Sequence, residues 1–517
     1  MTAFFNRHCD KIKGIFSCLD RLVIQGTFPE ICFPGAITTF FFLNRIKIFD
    51  FKKWAAPMRD EINENAKRIA QKNDIEIEFV SKKNFRKEKR IKEIIAQRGD
   101  HPGIVHIFSA METCTAYKPW HDKKSHKTFF KYDSGRCLHY YFYFIDKDFG
   151  LCYLRVPTWA PFRLQFYCNP HNWVARQLNK KRIGFKQIEN AFVEIDDFTK
   201  AQKLADSFPV TKLHKRINKY TKDFCPVRRY FASGIHWSVM QVEYATDIIF
   251  KDQKTLAPIY EELVRTLSHA VKPDNIAMFL GKRLDPRFEG ELGAQFSTRI
   301  EGHSIRHYMN RNGIKMYDKF GFILRVESFS NDISFFKHHR KVEHRDGSSS
   351  YKIANMRKTI FSIPQLIQVM YGCNRRYIEF LCAVDDPTNG IKKVNKISNR
   401  IKIKGRSFRG FNLFNEDDEK VFRAISQGDT QGFGIRNITM RKRVNKNTGQ
   451  VSRILKRLRT HGIIKKAPKS YKYYLTSLGR QITATSLKLK EMYVIPVLRG
   501  ELVISYLFCA CCAKYYL

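Results

Sequence analysis

The sequence predicts an α/β (α+β) multidomain body that ends in a small, strongly basic domain of helices and one hairpin. Three observations predict it. At 517 residues the chain is long enough for about three or four domains. Helix-period and strand-period segments alternate along the body, so neither element type dominates. Residues 391–490 hold 26 Lys and Arg against five Asp and Glu, a bias the rest of the chain does not match. Hydrophobic residues at 43% and aromatics at 14% can fill real cores, which excludes wholesale disorder. No run of about 18 apolar residues occurs, so no conventional membrane span is expected. No fixed-period repeat marks a solenoid or propeller.

Taken in order, Arg21-Leu22-Val23-Ile24 reads as a strand ended by Gln25-Gly26-Thr27. Residues 56–72 carry the helical period, and residues 75–80 alternate like a strand. The stretch 81–92, S-K-K-N-F-R-K-E-K-R-I-K, has seven basic residues and one acid and opens a helix through Ile94 and Ile95. It suits a solvated helix face and a phosphate contact equally. Residues 137–145 and 150–156 flank the turn Asp146-Lys147-Asp148-Phe149 as hairpin strands. The row Tyr140, Tyr141 and Tyr143 is either a packed sheet face or a stacking surface for unpaired bases. Residues 157–163 form a connection and residues 175–181 start a helix. Residues 230–271 read as largely helical, with Leu263, Val264 and Leu267 on one face. The expected domains are 1–225, an α/β domain with aromatic-rich strands; 226–405, an α+β domain; 406–490, the basic domain; and 491–517, an apolar tail.

The basic domain is the most readable part. Asn415 is a good N-cap, and Glu416, Asp417, Asp418 and Glu419 load the first turn with negative charge. Val421, Phe422 and Ile425 give that helix its buried side, and Gly428 stops it. A second helix fits 437–444. A third spans 447–460, where Val451, Ile454, Leu455 and Leu458 recur at core spacing. Gln450, Ser452, Arg453, Lys456 and Arg457 are expected off that buried face. Residues 463–466 and 472–475 make two short strands around Ala467-Pro468-Lys469-Ser470, and a last helix opens at Thr476.

Helix, helix, basic helix, two-stranded wing, helix is the order of a winged helix-turn-helix. An α-helix fits the major groove of duplex DNA, where Arg and Gln reach base edges while wing lysines sit near phosphates. The run V-S-R-I-L-K-R-L-R-T-H-G-I-I-K-K with Y-Y-L-T-S-L-G-R resembles the helix-wing signature of MarR-type transcription factors. The resemblance covers roughly residues 415–490. It implies DNA contacts from Gln450, Ser452, Arg453, Lys456, Arg457, Lys469, Lys472 and Arg480.

The formal net charge of +44 points to a polyanion, because such an excess repels itself unless neutralised. Duplex DNA is the expected partner and a membrane is not, although nucleotide bias in a genome also raises lysine. The first residues, M-T-A-F-F-N-R, lack the apolar core of a signal peptide, which predicts a cytoplasmic protein. Ten of the 13 cysteines are scattered without a C-x-x-C pair, so neither a zinc ribbon nor a disulfide framework is expected. The other three, Cys509, Cys511 and Cys512, lie in the tail, which reads as a packed or frayed end.

One segment of the body offers chemistry. Residues 314–317 and 322–327 look like strands joined by Asp318-Lys319-Phe320-Gly321. Period two puts Lys315 and Tyr317 on one face and Arg325 and Glu327 on one face of the partner. His303 and His307 sit four apart, as two ligands on one helix face would, and with Glu327 they make a candidate site for a divalent ion. Tyr308 or Tyr317 would then attack a phosphodiester. The Y-D-K and L-R-V-E stretch resembles rolling-circle replication initiators of plasmids and filamentous phages, which nick DNA with a tyrosine. That resemblance implies Mg²⁺ or Mn²⁺ as cofactor and Tyr317, Glu327 and Tyr308 as catalytic residues. Those enzymes carry a pair of histidines separated by one apolar residue, whereas Val105-His106-Ile107 here offers one. The commoner arrangement, and the favoured one here, is a core tyrosine with the charges as a cross-strand pair. His338-His339-Arg340-Lys341 reads as a basic, phosphate-facing loop. Asp20, together with Glu243 or Asp247 on a helix, supplies further carboxylates that sequence alone does not join.

No phosphate-binding G-x-x-x-x-G-K-[ST] loop, G-x-S-x-G elbow or H-E-x-x-H is present. Three functions therefore stand. The first is a regulator-like protein that binds DNA through the C-terminal winged helix. The second is a plasmid or mobile-element replication or transposition enzyme that nicks DNA with a metal-assisted tyrosine. The third is an RNA scaffold using the Tyr140–Tyr143 strand.

Overall fold

The computed structural model describes residues 2–81, 84–285, 287–299, 302–384, 388–403, 405–427, 434–468 and 470–499. Lys82, Lys83, Gly428, Lys469 and the cysteines of the tail fall outside them. Helix and strand are both abundant, and the chain divides into two compact units, residues 1–385 and 386–517.

The first unit is built on a sheet of 11 strands. Its strands, with a small hairpin that packs on it, are β1 (Ile12–Thr27), β2 (Ile77–Phe79), β3 (Gly103–Asp122), β4 (Lys127–Asp146), β5 (Gly150–Pro157), β6 (Leu164–Cys168), β7 (Phe185–Ile188), β8 (Ala191–Ile195), β9 (His236–Phe250), β10 (Leu292–Arg299), β11 (Gly302–Met309), β12 (Asn312–Lys319) and β13 (Ile323–Ser330). The sheet order is β10-β11-β12-β13-β9-β1-β6-β5-β4-β3-β2, with β7 and β8 paired only to each other. Every pairing is antiparallel except β2 with β3, so the sheet is mixed. A further ribbon, β14 (Lys337–Glu343) with β15 (Ser349–Asn355), stands outside it.

The expected boundary at 225/226 is corrected by this pairing. β9 runs along the whole of β1, from Ile12 opposite Phe250 to Thr27 opposite His236, so residues on both sides of the boundary share one sheet. The helical reading of residues 230–271 is corrected too. Residues 236–250 are the central strand β9, and the helix is Gln253–Ala270. From Tyr244 to Phe250 every residue of β9 is buried, so the alternation that identifies a strand is absent there.

One face of the sheet is the core. Leu22, Ile24, Phe142, Phe144, Leu154 and Phe166 pack against the helices Phe51–Lys72 and Val210–Phe224. Further along, Ile305, Ile314, Met316, Leu324 and Val326 meet the helices Gln253–Ala270 and Ile363–Val384. Asn374 of the latter donates from Nδ2 to the carbonyls of Tyr244 and Val326, both at 3.0 Å, pinning it to two strands. The other face is covered at one end by the β7–β8 hairpin, through Ala191, Val193, Ile249 and Ile323. At the other end the helix Lys87–Arg98 covers it, through Ile91, Phe108, Tyr141 and Tyr143. Tyr140, Tyr141 and Tyr143 are each at most 8% exposed, so this row is packed sheet and offers no stacking surface. Between the two covers, Arg21, Tyr153, Arg155, Gln165 and Tyr167 reach solvent.

The second unit has the helices Glu416–Ser426, Asn437–Val444, Thr448–Thr460 and Ser477–Leu489, with β16 (Ile401–Ile403), β17 (Arg406–Phe408), β18 (Ile464–Lys466) and β19 (Tyr473–Leu475). The caps do what the residue types demand. Asn415 accepts from the amides of Asp417 and Asp418, Asn447 and Gln450 form a capping box, and Thr476 accepts from Gly479. Val421, Phe422, Ile425, Val451, Leu455 and Leu458 form its core with Ile464 and Leu475. No described helix is long and apolar enough to cross a membrane.

Candidate active site

The half-covered face of the large sheet carries a concentration of buried charge where β1, β9, β13 and β12 lie side by side. Two cross-strand rows define it. Asp247 on β9, Arg325 on β13 and Tyr317 on β12 are direct neighbours, and Ala245, Glu327 and Lys315 form the next row. Glu243 lies two residues further along β9, opposite Arg21 of β1. Asp20 joins them through a bulge. The β1–β9 register passes from Leu19 opposite Tyr244 to Arg21 opposite Glu243, leaving Asp20 as the extra residue. Such an insertion bends a strand and re-aims its side chains.

Arg325 is fully buried and organises one half. Its Nε and Nη2 donate to the two oxygens of Asp247 at 2.6 and 2.7 Å, a bidentate pair. Nη1 donates to Asp20 at 3.1 Å, and Nη2 also reaches the carbonyl of Asn190 at 2.6 Å. Asp20 accepts from Asn190 Nδ2 at 2.7 Å on both oxygens, and His171 Nδ1 lies 3.2 Å away. Lys319 donates to Asn190 Oδ1. Burial opposes the charge on Asp20, but the His171 contact, Arg325 and Asn190 outweigh it and hold this carboxyl well below the usual range.

Lys315 organises the other half. Its Nζ donates to Glu327 Oε1 at 2.7 Å and to Glu243 Oε1 at 3.1 Å. The Tyr317 hydroxyl donates to Glu327 Oε2 at 2.8 Å. Burial and the Glu327 charge raise the Glu243 carboxyl, with Lys315 pulling the other way. Burial, then Glu327, also pushes the Tyr317 phenol well up. The Lys315 ammonium is penalised by burial, but Glu327 and Glu243 raise it overall.

Asp20, Glu243 and Glu327 each place a carboxylate oxygen within 4.8 Å of the others. Oxygen ligands of one octahedral cation bound at roughly 2.0–2.6 Å stand about 3–5 Å apart, so the spacing of these three matches a divalent-ion ligand set, with Lys315 holding two of the oxygens in its place. Four carboxylates (Asp20, Glu243, Asp247, Glu327) are interleaved here with the cations Arg325, Lys315 and Lys319, and Arg21 stands opposite Glu243.

The sequence-derived residues distribute as follows. Tyr317 and Glu327 come together as expected, on one face with Lys315 and Arg325. Glu243 and Asp247 lie on the strand β9 instead of a helix, and the fold joins them to Asp20. The metal set His303, His307 and Glu327 is corrected. The two histidines occupy the strand β11, where residues four apart are about 13 Å apart. His307 pairs with Ile314, which pairs with Ser328, so it points to the face opposite Glu327. There it is buried beside Phe279 and Tyr377, and burial pushes its imidazole down to about 4. Tyr308 shares the site's face but stands two strands from Glu327 and two residues along. His171, Asn190 and Lys319 carried no sequence signal, since nothing local marks them.

In the second unit, Arg453 and Lys456 are exposed on the helix Thr448–Thr460, as are Gln450 and Ser452. Gln450 caps that helix, and Ser452 Oγ accepts from Asn437 Nδ2 at 3.0 Å. Arg480 is exposed and Lys472 half-buried. Arg457 is a correction. Its guanidinium pairs with buried Asp418 at 2.7 and 2.9 Å, reaches the carbonyls of Arg409 and Gly410, and lies 3.8 Å from the Phe411 ring centre. It ties the first and third helices together and is not a free DNA contact.

No protein-family model, curated protein or solved structure matches this chain.

Proposed function

We propose that this protein processes DNA: the second unit holds duplex DNA as a winged helix, and the first cleaves a phosphodiester at the Asp20–Glu243–Glu327 centre. The observation that carries the reading is the convergence of three carboxylates, a lysine and a tyrosine from four strands. Burying charge is costly, and replacing such clusters by apolar residues is often neutral or stabilising. A cluster of this composition is therefore better explained by chemistry than by stability.

Asp20, Glu243 and Glu327 would hold a divalent cation, which would supply charge neutralisation at the phosphate. The chain's own groups supply the rest. The Tyr317 oxygen attacks phosphorus while its proton passes to Glu327 Oε2, 2.8 Å away. The P–O bond to the leaving strand breaks, and the alkoxide takes a proton from the Lys315 ammonium. The products are a phosphotyrosine ester and a free strand hydroxyl. Burial and Glu327 keep the Tyr317 phenol protonated at rest, so its activation relies on proton transfer to Glu327 as the bond to phosphorus forms. Arg21 and Arg155, partly exposed on the same face, are suited to phosphates of the incoming strand.

Support for the winged helix comes from the order of its elements, from the exposed Arg453 and Lys456, and from an isolated bridge between Ile435 and Tyr473 beside the hairpin. A second reading, a DNA-binding regulator without cleavage, is favoured by the concentration of basic residues in 391–490. Supercoiled plasmid incubated with the protein and Mg²⁺ or Mn²⁺ separates the two. Nicked plasmid carrying covalently bound protein, absent with Tyr317→Phe and Glu327→Gln, supports the enzyme. Duplex binding without nicking or calorimetrically detectable Mn²⁺ binding leaves the regulator.

A further inference from the structure

The ribbon β14–β15 is exposed to an unusual degree for a body element. Cross-strand neighbours put Lys337, His339 and Lys341 on one face with Asn355, Ile353 and Tyr351. All six are exposed, Tyr351 at 70% and Ile353 at 72%. His339 stacks on Tyr351, with ring centroids 5.7 Å apart and planes at 22°. An isolated two-stranded ribbon is only marginally stable in water. Leaving an isoleucine and a tyrosine bare on it gains nothing for folding.

Charge points the same way. Residues 337–355 contain Lys337, Arg340, Lys341, Arg345 and Lys352 against Glu343 and Asp346. Asp346 is occupied in the turn, where it accepts from the amide and hydroxyl of Ser348. Arg340 is held by the backbone, donating to the carbonyls of Asn355 and Lys341. Lysines and an arginine therefore line the ribbon with little compensation inside it.

The root of the ribbon supplies an independent observation. A cavity of about 550 Å³ opens there, lined by Lys282, Arg283, Lys337 and Arg376 and by no acidic residue. Two of these cations are held in place by the backbone, whereas Arg283 and Lys337 are exposed. Lys282 Nζ donates to the carbonyl of Phe335 at 2.5 Å, and Arg376 Nε donates to the carbonyls of Met278 and Phe279 at 2.9 and 3.1 Å. A Cβ on Gly281 or Gly372 would stand 3.0 and 3.2 Å from the Arg376 guanidinium, so both glycines make room for it. Burial and the neighbouring Lys337 depress the Lys282 ammonium, the cost of gathering like charges without a counter-ion. An anion in this cavity relieves that cost.

The dimensions select the ligand. Two strands about 4.8 Å apart with their side chains fill the major groove of B-DNA, which is about 12 Å wide and 8.5 Å deep. Seven residues per strand give a ribbon of about 23 Å, enough to cross a groove and bring its root to the backbone. We propose that β14–β15 enters the major groove of duplex DNA while the cavity at its root grips a backbone phosphate. The first unit thereby has its own duplex contact, apart from the second unit. The inference shares with the proposed function only the identity of the partner, and it requires no cleavage.

The test uses the full chain, a fluorescent 30-base-pair duplex and EDTA, with affinity measured by anisotropy across a KCl series. Lys337→Gln with Lys341→Gln on the ribbon and Lys282→Gln with Arg283→Gln at the root are compared with Arg453→Gln/Lys456→Gln in the second unit. Each phosphate contact removed flattens the slope of log K against log salt by about 0.9, so each body pair is expected to lose roughly one to two from it. Dimethyl sulfate, which reads guanine N7 in the major groove, reports a patch of protection lost with Tyr351→Ser/Ile353→Ser and kept with Arg453→Gln/Lys456→Gln. Unchanged slopes and unchanged footprints in the body variants overturn the proposal, as does absence of duplex binding by the wild type. Duplex binding with the expected footprint but no nicking in Mg²⁺ upholds it and refutes the cleavage reading alone.

Discussion

Arg325→Met removes one cation from the middle of the sheet and leaves two carboxylates behind. Asp247 takes both of its guanidinium bonds from Arg325, at 2.6 and 2.7 Å, and is 1% exposed. Asp20 loses one bond at 3.1 Å but keeps Asn190 and the His171 contact. The chief penalty is thus a single stranded carboxylate, Asp247, in a site water barely reaches. Breaking a buried pair in this way costs about 3–5 kcal/mol. All five tryptophans (Trp54, Trp120, Trp159, Trp173 and Trp237) lie in residues 1–385, so their fluorescence in a urea titration follows the first unit alone. The sign of the pH dependence follows from linkage. In the wild type Asp20 is depressed, and its contribution is present above the ordinary Asp value and lost only as pH falls through its folded value. In the variant one buried carboxylate is left without its cation and favours its protonated form, so the folded form binds that proton more tightly than the unfolded one. The deficit therefore shrinks as pH falls from 7 towards about 5, where the wild type changes little from this source. Arg325→Met/Asp247→Asn is expected to recover at least about 1 kcal/mol of the loss, since contacting residues couple by about 0.5–3 kcal/mol. A single-variant loss below about 1 kcal/mol, additive with Asp247→Asn and flat with pH, refutes the reasoning.

Arg457→Gln removes the bidentate partner of the buried Asp418, leaving it the Asn412 amide at 2.9 Å and Arg409 at 3.9 Å, and is expected to destabilise the second unit by up to about 3 kcal/mol, seen as protease sensitivity within residues 386–499. Arg453→Gln and Lys456→Gln should leave that fold intact and each flatten the salt slope of DNA binding by about 0.9. His307 is held neutral by burial, its folded value near 4 lying below the unfolded one. Its contribution is full above about pH 6.5 and disappears as pH falls towards 4; His307→Leu should remove up to about 3 kcal/mol of this acid lability, measured by urea midpoints at pH 7 and 4.5. Because Glu243 is raised by burial and Glu327, protons compete for its carboxylate above the ordinary Glu range. Mn²⁺ affinity by calorimetry should rise with pH across that region and flatten in Glu243→Gln.

The second unit was legible because its determinants are local. Asn415, Asn447 and Thr476 each cap the helix that begins next to them, and Val451, Leu455 and Leu458 are buried at helical spacing. The hairpin of β12 and β13 was legible for the same reason, since period two alone puts Lys315, Tyr317, Arg325 and Glu327 on one face. The centre as a whole was not. Asp20 meets Arg325 across 305 residues of sequence, and nothing local to either reports it. The bulge that turns Asp20 inward is a property of how β1 registers on β9, and β9 itself was hidden by burial on both faces. Arg457 was misplaced because helical period locates a side chain's direction but not the distant Asp418 that claims it.

The order in which the central strands are made has a consequence for biosynthesis. β1 is complete at Thr27, but its neighbours β6 and β9 begin only at Leu164 and His236. At about 5–20 residues per second, a strand with Leu22, Val23 and Ile24 waits roughly 10–40 s for the partner β9 that will cover its far edge. Throughout that time its backbone groups and apolar side chains are open to pairing with any other extended chain. Yield in a cell should therefore depend on holdase chaperones and on the pace of translation between residues 27 and 250, more than on the stability of the finished sheet.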